Sequence, residues 1–329
     1  MKEEAASQWR PLAGTPLLRL RARMLADIRD FFAARHVMEV ETPLLGRHGV
    51  TDPHIASFAV PVVEDSSGAP SVRHLQTSPE FAMKRLLAAG SGDIYQICKA
   101  FRDGEAGSRH NPEFTLVEWY RTDFDHRDLM AETADLVAML LARPVSWVCR
   151  GYDEVLGELA GLDPRDASVS QLEARAVDLG LHSSTLEGMD RDDLLDFLFS
   201  TAVQPRLGRG RLDVVDRYPP AQAALARIID DGSGPVAERF ELFYEGVELA
   251  NGYHELADPR EQEERMAADR RRRRARGLPD RTVDGRLLAA LAAGLPDCAG
   301  VALGFDRLLM LRSGETDIRR VLAFPYERA

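Results

Sequence analysis

The amino-acid sequence predicts an α+β domain built on an antiparallel sheet flanked by helices. Three observations carry this. Helix-period and strand-like runs alternate irregularly along 329 residues, as in α+β rather than doubly wound folds. The run FELFYEGVELANGYHEL reads as a hairpin turning at Glu245-Gly246. A glycine-punctuated strand, 298–304, feeds directly into a helical run, FDRLLMLRSG.

The elements follow in order. Leu18, Ala22, Leu25, Ile28 and Phe32 recur at steps of three and four, which predicts an amphipathic helix over 17–35. VMEVETPLL (37–45) is β-branched and predicts a strand ended by Pro43. Ser78-Pro79-Glu80 is a helix start with proline in the first turn, and the helix should span 78–89. Strands are expected at 93–101 and 114–120, joined by the polar loop RDGEAGSRHNPE, and a helix at 126–143. The stretch 150–235 reads as a mostly helical insertion within a single domain spanning 1–329.

Composition sets limits on function. The chain has 45% hydrophobic and 29% charged residues and no run of about 18 apolar residues, so no membrane span is expected. Its first residues lack an apolar signal core, which predicts a cytoplasmic protein. Cys98, Cys149 and Cys298 are scattered, which fits reduced thiols and neither zinc nor a disulfide framework. A net charge of −11 argues against general nucleic-acid binding. The exception is Arg270 to Arg274 with Arg276, which is either a solvated, charge-laced helix or a docking patch for an acidic macromolecule.

Three constellations carry chemistry. The loop from Phe101-Arg102 to Arg109-His110-Asn111 and Phe114 can surround a nucleotide with a guanidinium, an imidazole and an aromatic face, or be surface decoration. Phe114, Leu116, Glu118 and Tyr120 share one face of their strand. In the hairpin, a two-residue turn pairs Phe243 with Glu248 and Glu241 with Ala250. Glu241 and Glu248 are then diagonal neighbours that can share Mg²⁺, or simply acidic outward positions. In AGVALGFDRLLML, Gly300 and Gly304 permit close approach of a ligand, and Arg307 can reach a phosphate.

Taken together and in this order, these stretches resemble motifs 1, 2 and 3 of class II aminoacyl-tRNA synthetases. The RHNPEFT and ELANGYHEL runs narrow the resemblance to lysyl-tRNA synthetase, over about residues 17–325. The resemblance implies a class II catalytic domain that uses ATP and Mg²⁺. Arg102 and Arg307 would be catalytic, Arg102 at the α-phosphate and Arg307 with His110 at the γ-phosphate end. Phe114 and Arg307 would sandwich the adenine. Asp103, Gly104, Glu105, Asn111, Leu249 and Gly304 would complete the nucleotide site. Glu241 and Glu248 would hold the metal. Glu255 and Tyr120 would receive the substrate's ε-ammonium and Glu80 its other amine, with Ser78, Pro79, Asn251 and Ala302 lining the amino-acid pocket. One position departs from the pattern. Motif 2 normally reads Arg-x-Glu, whereas Arg102-Asp103-Gly104-Glu105 puts the acid one residue late.

The resemblance begins almost at the first residue, where a lysyl-tRNA synthetase carries a β-barrel anticodon-binding domain. The expectation is therefore a stand-alone paralogue of the elongation factor P–lysine ligase family, without tRNA as a partner. It would activate (R)-β-lysine or lysine and transfer it to a lysine of elongation factor P, as a homodimer formed through about 17–45. Ser78 and Ala302 stand where lysyl-tRNA synthetases usually have Ala and Gly, and both changes suit an amine moved one carbon along. The alternatives are a truncated lysyl-tRNA synthetase and a catalytically inactive synthetase-like binding module.

Overall fold

The computed structural model describes residues 9–63 and 70–329. The chain opens with helix α1 (Thr15–Ala33), begun by Pro16 in its first turn, where a missing N–H costs nothing. Its apolar stripe, Met24, Ile28, Phe31 and Phe32, is buried. Strands β1 (Met38–Glu39) and β2 (Leu45–Gly46) follow, then β3 (Ala59–Val63), β4 (Pro70–Leu75), helix α2 (Glu80–Ala88), and the long pair β5 (Ile94–Phe101) and β6 (Glu113–Thr122). Helix α3 (His126–Leu141) is capped by Asp125, whose side chain accepts from the N–H groups of Arg127 and Asp128. Next come β7 (Trp147–Gly151), helices α4 (Tyr152–Ala160), α5 (Val169–Asp178) and α6 (Arg191–Leu198), and strands β8 (Leu212–Tyr218) and β9 (Ile228–Asp230). The hairpin β10 (Pro235–Tyr244) and β11 (Val247–His254) leads through helices α7 (Pro259–Ala275) and α8 (Gly285–Gly294) to β12 (Cys298–Gly304) and α9 (Phe305–Ser313).

The main sheet runs β1-β5-β6-β12-β11-β10-β8-β7, with β9 on β10. The six strands from β5 to β8 pair antiparallel, while parallel pairings at β1–β5 and β7–β8 make the whole sheet mixed. Residues alternate between its faces. Val117, Trp119, Val301 and Leu303 join α1, α3 and α9 in the largest core. Phe32 anchors it, stacked on Tyr95 at 4.4 Å between ring centroids and tilted against Trp119 at 5.3 Å. The alternate residues, Leu116, Glu118, Tyr120, Gly300, Ala302 and Gly304, line a cavity on the other face.

Three expectations differ from what forms. The 37–45 stretch is a strand only at its two ends, β1 and β2, because Pro43 lacks a donor and the segment passes between two sheets. The hairpin turns at Glu245 and Gly246, both with positive φ (50° and 72°), but Glu241 opposes Asn251 rather than Ala250. A bulge between Leu242 and Phe243 shifts the register. Within 150–235, helices α4 to α6 build their own core around Tyr152, Leu172, Leu195 and Phe199, yet β8 belongs to the main sheet. Its Asp213 and Asp216 make the segment look polar in sequence. Both are buried and ion-paired, with Arg211 and Arg217. No helix among the described residues is long and apolar enough to cross a membrane.

Candidate active site

The cavity, about 430 Å³, lies over β6, β12 and β11 and is closed on one side by α2 and α7. Its floor comes from the strand pleat. Gly300 pairs with Tyr120 on one side and Tyr253 on the other. A Cβ at Gly300 would run into the Tyr120 ring and Glu255 Oε1, so only glycine lets these two side chains meet there.

One end of the cavity is a buried cluster of charge. Lys84, on the inner face of α2, is 1% exposed and lies 2.6 Å from both Glu80 Oε1 and Glu255 Oε2. Burial alone would lower its pKa, but Glu255 and Glu80 outweigh that and hold the ammonium firmly charged. Burial raises the Glu255 carboxyl, with Lys84 opposing. Glu118 accepts hydrogen bonds from Ser78 Oγ at 2.7 Å and Tyr120 OH at 2.8 Å. Burial, followed by Glu80, nevertheless pushes it up to about 8. Glu255 Oε1 and Asn251 Oδ1 are buried without a hydrogen-bond partner and stand ready for a donor.

The other end is cationic and more open. The Arg102 guanidinium sits 5.1 Å from the centroid of the Phe114 ring and 3.8 Å from Glu105. Arg307 donates to His110 Nε2 at 2.6 Å, to the Glu248 carbonyl at 3.1 Å and to its carboxylate at 3.3 Å. Burial, and then Arg307, lowers the His110 pKa, so the ring stays neutral and accepts. Asp306 fixes the start of α9, accepting from the Thr115 N–H at 2.6 Å and pairing with Arg21. Arg307 is thereby aimed into the cavity.

The structure brings most of the expected residues together. Ser78, Pro79, Glu80, Arg102, Glu105, His110, Asn111, Phe114, Tyr120, Glu248, Leu249, Asn251, Glu255, Ala302, Gly304 and Arg307 all line the cavity. Asp103 and Gly104 do not. Gly104 has φ +81° with open space around it, so a turn that favours glycine occupies the place of the motif 2 acid, and Glu105 reaches Arg102 instead. Asn111 lines the cavity, but its amide is held by the Glu113 carbonyl and the Tyr326 N–H. Lys84 and Glu118 went unassigned in the sequence, although Glu80 and Lys84 stand at i,i+4 and Glu118 shares a face with Tyr120.

The carboxylate pair has an uneven fit to Mg²⁺. Glu248 lines the cavity, is 34% exposed and has Arg307 at 3.3 Å. Glu241 lies outside the lining, bonded by Tyr218 OH at 2.8 Å and by Arg239. Burial raises its pKa, Arg239 opposes this, and Glu248 adds to it. The two carboxylates thus repel each other, a repulsion that a divalent cation relieves. Glu248 fits as a direct ligand; Glu241 must share its charge with Arg239.

The arginine run of α7 is largely spent within the molecule. Arg270 and Arg274 pair with Asp280, Arg272 with Asp269, and Arg276 with Asp193. Arg273 is buried and donates to the carbonyls of Pro279 and Asp52. The run staples α7 to its surroundings, closer to the charge-laced helix than to a docking patch.

Comparison with known proteins accords with this geometry. The family of class II tRNA synthetases (D, K and N) matches residues 8–328. The chain is 47% identical over 322 residues to the elongation factor P–(R)-β-lysine ligase of Pasteurella multocida, covering 98% of each chain. It is also 47% identical over 323 residues to the ligase of the same name from Vibrio cholerae, covering 98% of this chain and 99% of that one. With the ligase of that name from Salmonella paratyphi B, identity is 45% over 322 residues, again 98% of each. A class II sheet, a cavity with one acidic and one cationic end, and end-to-end similarity at this level agree: the chain belongs to the elongation factor P–(R)-β-lysine ligase family, within the class II tRNA synthetases.

Proposed function

We propose that this ligase activates (R)-β-lysine, or lysine, with ATP and transfers it to the ε-amine of a lysine on elongation factor P. It works as a cytoplasmic homodimer of single-domain subunits, without tRNA. The observation that carries the reading is the charge balance of the buried end. Glu80, Glu118 and Glu255 against Lys84 leave two negative charges when all are ionised, which matches the two ammonium groups of either amino acid. The relatives' shared name supports elongation factor P as acceptor. The Ala302 methyl, between Asn251 and Glu118 in register, and the Ser78 hydroxyl on Glu118 support the β-isomer.

In this reading the substrate carboxylate, already ionised at pH 7, attacks the α-phosphorus of ATP and pyrophosphate leaves. No general base is needed, so the rate depends on alignment and on cations. Glu255 and Tyr120 hold one ammonium and Glu80 the other. Phe114 and Arg307 bracket the adenine. Arg102 and Arg307 meet the charge that develops on the phosphate chain. Glu248, with Glu241 behind it, would hold a Mg²⁺ ion, which would supply further positive charge for the phosphates. The acceptor lysine then attacks the acyl carbon as a free amine, forming an amide and releasing AMP. The exposed Met38, Leu44 and Leu45 support a dimer contact near residues 17–45.

Enzyme, ATP and labelled (R)-β-lysine or lysine, offered elongation factor P and tRNA together, should place label on the factor. Label on tRNA alone would overturn the acceptor assignment. Absence of amino-acid-dependent ATP–pyrophosphate exchange would favour an inactive binding module.

A further inference from the structure

A second cluster of potential ligands lies on the opposite face of the main sheet. Glu238 precedes Arg239, which pairs with Tyr253, so it comes opposite His254 at the end of the β10–β11 ladder. Tyr253 lines the substrate cavity, so His254, one residue on, turns away from it towards the N-terminus of α3. His126, the first residue of that helix, completes the group.

We propose that His126, Glu238 and His254 form a binding site for one zinc-class divalent cation, separate from the substrate cavity. The ligand atoms of the three side chains lie within 4.8 Å of one another. Ligands on a tetrahedral zinc with bonds of about 2.0–2.1 Å stand roughly 3.3 Å apart. Side-chain torsions therefore need to close the group by only about 1.5 Å. Two imidazoles and a carboxylate are a zinc donor set, and three protein ligands leave one position for water.

Two further observations point the same way. His126 has 7% of its side chain exposed, and its Nδ1 has no hydrogen-bond partner, being 3.6 Å from Glu238 Oε1. A buried ring nitrogen left unpaired beside a carboxylate is costly unless something fills the gap. His254 directs Nδ1 at Glu238 Oε2, 2.7 Å away, while its Nε2 meets Asp297 Oδ1 at 2.9 Å. That is the outer carboxylate–histidine arrangement that orients a metal ligand. Arg227 pairs with Asp297 and keeps that carboxylate in place. Binding would displace the proton shared by His254 Nδ1 and Glu238. It would also tie β11 to α3 directly behind Glu255.

The alternative is a metal-free network in which His254 is doubly protonated between Glu238 and Asp297. Full-length protein stripped of metal and titrated with zinc against a chromophoric chelator separates the two. One tight equivalent per chain is expected, with an X-ray absorption spectrum of two imidazoles and only nitrogen and oxygen ligands. His126→Leu should weaken zinc binding by more than 100-fold. Asp297→Asn, which keeps all three ligands, should weaken it about 10–100-fold. No tight equivalent in the native protein, sulfur in the ligand shell, or unchanged affinity in a folded His126→Leu variant would each overturn the proposal. If that variant does not fold, the absorption spectrum of the native protein decides: fewer than two imidazoles overturns it.

Discussion

The two ends of the cavity hold their charges in opposite ways. At the acidic end, Lys84 and Glu255 are each 1% exposed and locked together at 2.6 Å, and the cluster has its counter-cation built in. At the cationic end, Arg102 is 27% and Arg307 20% exposed, and their carboxylate contacts are looser, at 3.8 and 3.3 Å. In the proposed reading, the difference follows from what each end has to receive. Ammonium groups on a small substrate are desolvated inside the protein, so their carboxylates must be oriented and balanced beforehand. A polyanionic nucleotide brings its own strong field, and arginines parked on Glu105, His110 and Glu248 can be drawn to it.

The largest expected effect breaks the acidic end. Lys84→Met leaves buried Glu255 and half-buried Glu80 without their cation, and unfolding in urea should show a loss of about 3–5 kcal/mol. Amino-acid-dependent exchange should vanish with it. A loss below about 1 kcal/mol would mean the cluster is not pre-balanced. Arg307→Ala tests the contrast at the other end. Exchange turnover should fall about 10²–10³-fold, while stability changes by no more than about 1 kcal/mol, because the guanidinium is partly solvated. Equal destabilisation by both substitutions would abolish the distinction.

The smallest effect sharpens the comparison through pH. Burial and Glu80 push the Glu118 carboxyl up from 4.5 to about 8, so in the free enzyme at pH 7 it holds a proton that the unfolded chain does not. Its contribution to stability is therefore complete below about 4.5 and is lost as pH rises towards about 8. A diammonium ligand favours the ionised carboxylate. Binding at pH 7 should release a proton, and affinity should climb between pH 6 and 8 by up to about tenfold per unit before levelling off. Calorimetry in two buffers of different ionisation enthalpy reads that proton, and Glu118→Gln should cut the release to the share left by Glu255, whose carboxyl burial also raises to about 7.

Much of the site is legible in the sequence because it depends on local chemistry. The β12–α9 junction falls where glycine spacing and helical period put it, at Cys298–Gly304 and Phe305–Ser313. The pleat alone puts Glu118 and Tyr120 on one face, and the hairpin turn lies at the Glu245-Gly246 pair. What escapes depends on partners distant in the chain. A bulge moves Glu241 one step from its expected register, and Arg239 and Tyr218 claim its carboxylate. Asp213 marks β8 as polar until the sheet brings Arg150 of β7 to within 3.7 Å of its carboxylate.

By itself the sequence determined the class of sheet, the order of the motifs and a set of residues that meet around the cavity, because period, turn chemistry and motif spacing act over a few residues. Only the tertiary structure decided how the charges are shared. It set Lys84 against Glu255, 171 positions away along the chain, and Arg276 of the α7 end against Asp193. Ion pairs buried away from water form between groups that folding brings together, and spacing along the chain does not record them.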